Sequence, residues 1–157
     1  MISPAMATLI SIAPGFIEKK IRNGCKVRIL LPNPDDEQAL HAWRHLNKAA
    51  IIESRIRDTL RTLGGIIQTS GTNTNCQVKL SDVFSPFSMF AVDLHNNLGT
   101  MVVEYHCYKT PGDLRPHIFL TAKDDLIWFT HYRDQFDLAW SEVKTSENNE
   151  WMLKYVS

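Results

Sequence analysis

The chain is predicted to fold as one α/β domain with a mixed sheet flanked by helices. A strand-like segment at residues 25–31, a long amphipathic segment and a second strand-like segment follow in the order typical of a parallel β-α-β unit. Three further strand-like segments with short turns between them favour antiparallel pairs. The 157 residues, of which 44% are hydrophobic and 22% charged, suffice for one buried core. We therefore expect a single domain over residues 1–157.

The first helix is expected to begin at Pro14, because proline is favoured in the first turn of a helix. Ile17 and Ile21 lie one turn apart on an apolar stripe, and basic residues face away from it. Gly24 is a suitable C-terminal cap, and the preceding basic residues complement the helix dipole. A further strand is possible at residues 1–9.

The strand at residues 25–31 alternates, with Val27, Ile29 and Leu31 on one face. It leads through a Pro-Asn-Pro turn to an acidic run at residues 35–37, which favours the first turn of a helix. One long helix is predicted over residues 36–63, ending at Gly64-Gly65. Its apolar face is Leu40, Trp43, Ala50, Ile56, Leu60 and Leu63.

The second half of the chain is predicted to be strands followed by a helix. A polar loop at residues 69–75 precedes strands at residues 76–81, 87–93, 100–107 and 116–121. Asn96-Asn97 with Gly99, and then Pro111-Gly112-Asp113, mark turns between them. A second amphipathic helix begins at Asp124-Asp125, and Trp151 and Tyr155 in the tail are expected to dock on the domain.

Charge and composition limit the classes of partner. Seventeen basic and seventeen acidic residues cancel, so non-specific binding to a nucleic-acid polymer is not expected. The segment from Glu18 to Arg28 nevertheless holds five basic residues and one acid, which suits a small anion or a membrane surface.

The cysteines and the N-terminal segment bear on the compartment. Three widely spaced cysteines form no disulfide framework or metal pattern, which favours a reducing cytoplasm. The chain has no apolar run of the ~20 residues that a membrane span requires. Its first 17 residues are uncharged, contain two prolines and lack the basic start of a signal peptide. We expect a cytoplasmic protein, or the soluble part of a membrane-anchored protein whose natural N-terminus lies further upstream.

Two segments of the chain carry a pattern that is typical of a known family. The first runs from Ile21 to Asp35, where a helix ends at glycine and a basic-apolar strand leads to Pro-Asn-Pro. The second is Pro86-Phe87-Ser88-Met89-Phe90-Ala91-Val92-Asp93. These segments resemble the phospholipase D-like domains, whose active members carry His-x-Lys-x-x-x-x-Asp on a strand. Aligned on Asp93, the His position is Pro86 and the Lys position is Ser88.

The resemblance covers nearly the whole chain and is closest to small phospholipase D-like domains of bacterial regulators and signalling proteins. It implies a phospholipase D-like half whose nucleophile and phosphate clamp are absent, so that the central cleft binds without reacting. Catalytic members build one site from two paired domains, which implies a homodimer for a chain that has one half.

Candidate ligand-binding residues fall into two groups. Arginine guanidinium groups suit phosphate, and the candidates are Arg22, Arg28, Arg55 and Arg57. For Arg55 and Arg57, salt bridges to neighbouring acids such as Glu53 and Asp58 are the competing interpretation. The second group lies in and around the segment in which the family's His and Lys are replaced, and it includes the aspartate that remains. Its hydroxyls, imidazole and aromatic rings suit a small-molecule pocket. These residues are Phe87, Ser88, Asp93, Tyr105 and His106.

Histidines offer two further hypotheses. His41 and His45 have the i, i+4 spacing of a chelating pair, but no third ligand is evident, so a solvated helix face is favoured and no metal or cofactor is predicted. His106 or His95 could act as a nucleophile in a residual phosphodiesterase, against the simpler interpretation of ordinary core or surface histidines.

The preferred hypothesis is a non-catalytic sensor. It would bind a phosphate-bearing small molecule, such as a nucleotide or a cyclic nucleotide second messenger. It would then regulate an attached or partner effector in bacterial signalling or antiphage defence. Two alternatives stay open, a residual phospholipase D-like phosphodiesterase and a structural dimerisation module.

Overall fold

The computed structural model describes residues 14–46, 49–70, 75–110, 114–143 and 149–155. Five strands, four α-helices and a C-terminal 3-10 helix lie within them. In chain order they are α1 (Pro14–Arg22), β1 (Val27–Pro32), α2 (Glu37–Leu46), α3 (Ala49–Ser70), β2 (Cys76–Ser81), β3 (Phe87–Val92), β4 (Thr100–Tyr105), β5 (His117–Thr121), α4 (Leu126–Glu142) and the 3-10 helix (Asn149–Tyr155).

The described strands form two sheets. β1 and β2 are parallel, with Ile29 opposite Val78, and β3, β4 and β5 form an antiparallel sheet in that order. The α/β class and both strand directions are therefore confirmed, but the prediction of one mixed sheet is wrong. The chain leaves β2 through two local turns, in which the Ser81 hydroxyl accepts the Val83 N–H (3.1 Å) and the Ser85 hydroxyl donates to the Phe87 carbonyl (2.7 Å). Side-chain bonds of this kind favour turns over continued pairing.

The first core lies between α3 and one face of the parallel pair. Ile56, Leu60 and Leu63 of α3 are at most 1% exposed and belong to the same cluster as Ile29 and Val78. The 3-10 helix adds Met152 and Tyr155, with Trp151 packed against them. The predicted docking of the aromatic tail is therefore confirmed.

The second core lies between α4 and the inner face of the antiparallel sheet. Phe129, Tyr132 and Phe136 are buried there against side chains of all three strands. Leu30 of β1 belongs to this core, whereas its neighbours Ile29 and Leu31 belong to the first. β1 is thus buried on both faces from Ile29 onward, which explains the apolar run of its last four residues.

The predicted long helix differs from the structure. Two helices, α2 and α3, are described in its place, with residues 47–48 outside the described part of the chain. α3 continues through Gly64-Gly65 to Ser70 because Ile66 and Ile67, just beyond the glycines, are buried in the first core. Burying each isoleucine contributes about 1.5–3 kcal/mol, more than the ~1 kcal/mol that a helical glycine loses relative to alanine. The side chains of Trp43 and Ala50 lie outside the described residues. The predicted core face is confirmed at its other four positions, which are buried: Leu40, Ile56, Leu60 and Leu63.

Asp93 has a conformational role. The predicted strand at residues 87–93 ends at Val92, one residue before Asp93, and β3 lies at the edge of its sheet among the described strands. Asp93 follows Val92 with a φ of 52°, and its carbonyl accepts the Asn96 N–H at 2.8 Å. Aspartate tolerates this left-handed conformation better than most residues, so the turn explains its presence.

Three predicted features fall wholly or partly on residues that the structure does not describe. The possible strand at residues 1–9 and the turn at residues 111–113 lie outside the described residues, as do residues 71–74 of the predicted polar loop. No helix in the described part of the chain combines the length and apolarity needed to cross a membrane.

Candidate ligand-binding face

The antiparallel sheet has a second face, turned away from α4, which we call the outer face. Side chains alternate along a strand, so residues 88, 90 and 92 of β3 lie there while Phe87 and Met89 pack on the core. The strand register places Phe90, Val102 and Phe119 in one apolar row. The Phe119 side chain at the sheet edge is 63% exposed.

A polar row lies beside the apolar one. The register aligns Ser88, Glu104 and His117 across the three strands. Two residues along a strand separate the rows, which corresponds to about 7 Å. His106, directly after β4, and Arg115, two residues before β5, complete a group of side chains at this end of the outer face.

Arg115 holds this group together. Arg115 is buried, with 9% of its surface exposed. Its Nη1 lies 3.2 Å from Glu104 Oε1 and 3.2 Å from His106 Nδ1. Its Nε donates to the Thr110 carbonyl at 3.3 Å. The guanidinium is therefore fixed in orientation, and its Nη2 makes no hydrogen bond within the described part of the chain.

The contacts assign the tautomer of His106. Arginine can only donate, so Nδ1 of His106 must accept from Arg115, and the ring hydrogen then sits on Nε2. Nε2 lies 2.9 Å from Ser88 Oγ, so the imidazole donates to the hydroxyl. A general base would need a lone pair at that position. The pair is therefore arranged to bind and not to activate Ser88 as a nucleophile.

Burial, followed by the Arg115 charge, lowers the pKa of His106 from 6.5 to about 4. The ring is neutral at neutral pH. The native state then takes up its proton only below the pH at which the unfolded chain does, so the stability contributed by neutral His106 is lost as pH falls from about 6.5 to about 4.

We expect a pH-dependent difference in stability between the wild type and His106→Gln. The wild type should lose up to about 3 kcal/mol more unfolding free energy than the variant between pH 6.5 and 4, because glutamine does not titrate. Urea denaturation at several pH values measures this difference. If the unfolding free energies of the two proteins changed with pH by the same amount, His106 would not be held neutral by its surroundings.

Phe87 and Tyr105 lie on the inner face, apart from Ser88 and His106. The Phe87 ring meets the Tyr132 ring edge-on at 5.1 Å, and the Tyr105 hydroxyl is hydrogen bonded to that of Tyr132. Burial and this bond raise the pKa of Tyr132 to about 12, so the phenol stays protonated. The structure therefore separates four of the five residues predicted for this pocket into two pairs on opposite faces of the sheet.

The predicted arginines lie at separate places. Arg22 is exposed on α1 and pairs with Glu18, and Arg55 is exposed on α3. Arg28 lies between β1 and α4, with Nη1 3.2 Å from Asp137 Oδ1 and its guanidinium 5.0 Å from the centre of the Phe136 ring. The three arginines therefore lie on α1, β1 and α3 and not on the antiparallel sheet.

Arg57 forms ion pairs with Asp35 (2.9 Å) and Glu53 (3.1 Å), which supports the salt-bridge interpretation for this residue. Asp93 is also distant from the polar row. It follows the far end of β3, about 17 Å along the strand from Ser88.

The structure also shows where the other candidate histidines lie. His95 is exposed in the turn after β3, with Nε2 3.0 Å from Arg28 Nη2 and 3.6 Å from Asp137 Oδ2. His41 is exposed on α2, and the side chain of His45 lies outside the described residues. Within the described residues, no group of three His, Cys, Asp or Glu side chains could hold a metal ion.

Sequence reasoning missed Arg115. The available signal was a basic residue next to the strand predicted at residues 116–121, two positions before β5 as observed, but only the strand register shows that it meets Glu104 and His106. Comparison with known proteins adds no further site, because no family model, no curated protein and no solved structure matches the chain.

Proposed function

We propose that the chain is a non-catalytic ligand-binding domain and that its outer face binds a phosphate-bearing small molecule, such as a nucleotide or a cyclic nucleotide. The observation that carries this proposal is Arg115, a buried guanidinium held by Glu104 and His106. A fixed guanidinium with an uncommitted NH2 group can donate two hydrogen bonds to phosphate oxygens. The neighbouring Ser88 and His117 add polar groups on the same row.

The apolar row suits the other end of such a ligand. Phe90, Val102 and Phe119 offer a surface on which a base can stack, and alanine substitution of a stacking aromatic typically costs about 1–3 kcal/mol. The separation of about 7 Å between the rows allows one small molecule to contact both.

The same geometry supports binding without turnover. The family's nucleophile position holds Pro86 and its lysine position holds Ser88. The imidazole that contacts Ser88 presents a hydrogen in place of a lone pair, and its lowered pKa makes it a weak base. Regulation of an attached or partner effector in bacterial signalling or antiphage defence is the wider proposal, and the resemblance to phospholipase D-like signalling domains supports it.

Binding should depend on Phe119 and Arg115. Mono-, di- and cyclic nucleotides would first be screened by thermal shift, and the tightest binder titrated by calorimetry. We expect Phe119→Ala to weaken binding about 5- to 100-fold through lost stacking. Arg115→Lys should weaken it about tenfold or more, because lysine keeps the charge but loses the planar fork. Phe16→Ala, which removes a phenylalanine that is 44% exposed on α1, is the matched control.

Three outcomes would contradict the proposal. The first is a screen in which no nucleotide binds at millimolar concentration, and the second is a binder whose affinity is unchanged in both outer-face variants. The third is hydrolysis of the bound nucleotide that His106→Ala abolishes, which would favour the phosphodiesterase alternative.

The dimerisation alternative has its own supporting observation. Within the described residues β5 pairs only with β4, so its other edge is open, and exposed apolar side chains lie nearby at the start of α4. Ile127 and Trp128 are 82% and 59% exposed. Open edges pair readily with a second strand. Native mass spectrometry distinguishes the accounts, since a ligand-free dimer with a flat nucleotide screen supports the dimerisation module.

A further inference from the structure

One edge of the antiparallel sheet is open. Within the described part of the chain, β5 pairs with β4 on one side and with no strand on the other. Two hydrogen bonds flank the β4–β5 ladder, from the Tyr105 N–H to the Pro116 carbonyl (3.0 Å) and from the Ala122 N–H to the Gly99 carbonyl (2.9 Å). Hydrogen-bonded pairs alternate along antiparallel strands, so the even-numbered residues of β5 bond to β4. Its odd-numbered residues therefore turn their N–H and C=O groups to the open edge.

The start of α4 occupies one end of this edge. The Asp125 carboxylate accepts the Thr121 N–H at 3.0 Å, and the Asp125 N–H donates to the Thr121 carbonyl at 3.0 Å. Both edge groups of Thr121 are thus satisfied. The remaining edge groups are the N–H and C=O of His117 and of Phe119, and these form no hydrogen bond with a described residue.

The free groups match those of a second copy of the same strand. When two copies of β5 lie antiparallel about a two-fold axis at Ile118, His117 of each copy is opposite Phe119 of the other. These are hydrogen-bonded pairs, so the free groups of the two chains satisfy one another in four hydrogen bonds. A register centred on Phe119 would form only two, because it places His117 opposite the occupied Thr121. The free groups therefore select the register centred on Ile118.

The edge lacks the features that keep an edge strand unpaired. Soluble proteins commonly protect such strands with a lysine or another charge, a proline or a bulge. No Asp, Glu, Lys or Arg occurs from Pro116 to Ala122, so two copies can pair without like charges in contact. The pairing of β4 with β5 is continuous and contains no bulge. Pro116 removes no edge donor, because its nitrogen faces β4.

Apolar side chains are exposed at the same edge. Ile118 lies on the inner face and is still 36% exposed, and Phe119 on the outer face is more exposed. The contact between Asp125 and the edge also brings the start of α4 there, with the exposed Ile127 and Trp128. Contiguous exposed apolar residues mark an interaction surface, and pairing along β5 covers Ile118 and Phe119 directly.

We propose that the chain forms a two-fold dimer in which residues 117–119 of β5 pair with the same residues of a second copy. The two antiparallel sheets then join into one sheet of six strands. The axis between antiparallel edge strands is perpendicular to the sheet, so both outer faces lie on the same side. Phe119 of the second copy lies beside His117, at the end of the polar row that begins at Ser88. Its contribution to ligand binding rests on the proposed function, whereas the dimer itself does not.

Sedimentation equilibrium of the full chain without nucleotide tests the proposal. The wild type should dimerise with a dissociation constant of about 100 µM or tighter, as expected for a small interface. His117→Pro should weaken the dimer about tenfold or more, because it removes one edge N–H from each copy and with them two hydrogen bonds. Proline is tolerated at the first residue of an edge strand, and the ladder to β4 does not use this N–H. His117→Ala, which keeps the N–H, is the matched control and should dimerise like the wild type.

Charges at the two-fold axis test the register. Ile118→Lys and Ile118→Glu should each be monomeric at about 500 µM, because like charges then face each other. An equimolar mixture should form a heterodimer, since the facing charges are opposite. If circular dichroism shows that either variant is unfolded, the two His117 variants decide the test.

Three results would overturn the proposal. They are a monomeric wild type at about 500 µM (about five times the expected dissociation constant), equal dimerisation of the two His117 variants, and folded Ile118 variants whose mixture stays monomeric. A dimeric wild type that binds no nucleotide would support the dimer and count against the proposed ligand, so the two proposals fail separately.

Discussion

Phe129→Ala should destabilise the protein by about 3–5 kcal/mol. The ring is 2% exposed and lies where α4 meets the antiparallel sheet, so its removal leaves a cavity that neighbouring strands cannot fill. Urea denaturation measures the change. Leu138→Ala on the same helix is the control, because that side chain is 53% exposed and its loss should change stability by less than about 0.5 kcal/mol. Equal effects of the two substitutions would show that α4 does not pack as described.

Gly99→Ala should destabilise the protein by about 2–3 kcal/mol or more. A Cβ atom at this position would lie 2.5 Å from the Asp93 carbonyl oxygen, 2.8 Å from Phe129 Cζ and 2.9 Å from the Asn96 carbonyl oxygen. Two of these atoms belong to the backbone of the turn after β3, so they cannot move aside without changing the turn. Thermal and urea unfolding both report the loss.

Gly65→Ala is the matched control for this prediction. Its Cβ would meet nothing within 4 Å, and it lies inside α3. Alanine is the better helix former, so this variant should be about 0.5–1 kcal/mol more stable than the wild type. Destabilisation by both substitutions would contradict the described course of α3 through its two glycines.

The sequence predicted the strands well because turn residues punctuate them. β2 was predicted with its observed bounds, and the bounds of the other four strands differ by no more than two residues. Proline, glycine and asparagine fix such turns locally, so a single sequence records them. The continuation of α3 past Gly64-Gly65 was not predicted, because it depends on the burial of Ile66 and Ile67 by distant residues.

The sheet arrangement and the site depend on contacts between segments, which a single sequence does not record. Ser88 and His106 were both predicted as ligand-binding residues, and the structure brings them together at 2.9 Å. Phe87 and Tyr105 were assigned to the same pocket, yet strand alternation turns them to the other face. Arg115 was missed because its contacts follow from the register of β4 and β5.

The most direct test of the central claim is an NMR map of the amide shifts caused by the tightest-binding nucleotide of the panel. The account predicts shifts that concentrate on the outer face, at Ser88, Glu104, His106, Arg115 and Phe119, and that disappear in Arg115→Lys at the same nucleotide concentration. Shifts confined to β1, β2 and the helices around them, or an unchanged pattern in Arg115→Lys, would contradict it.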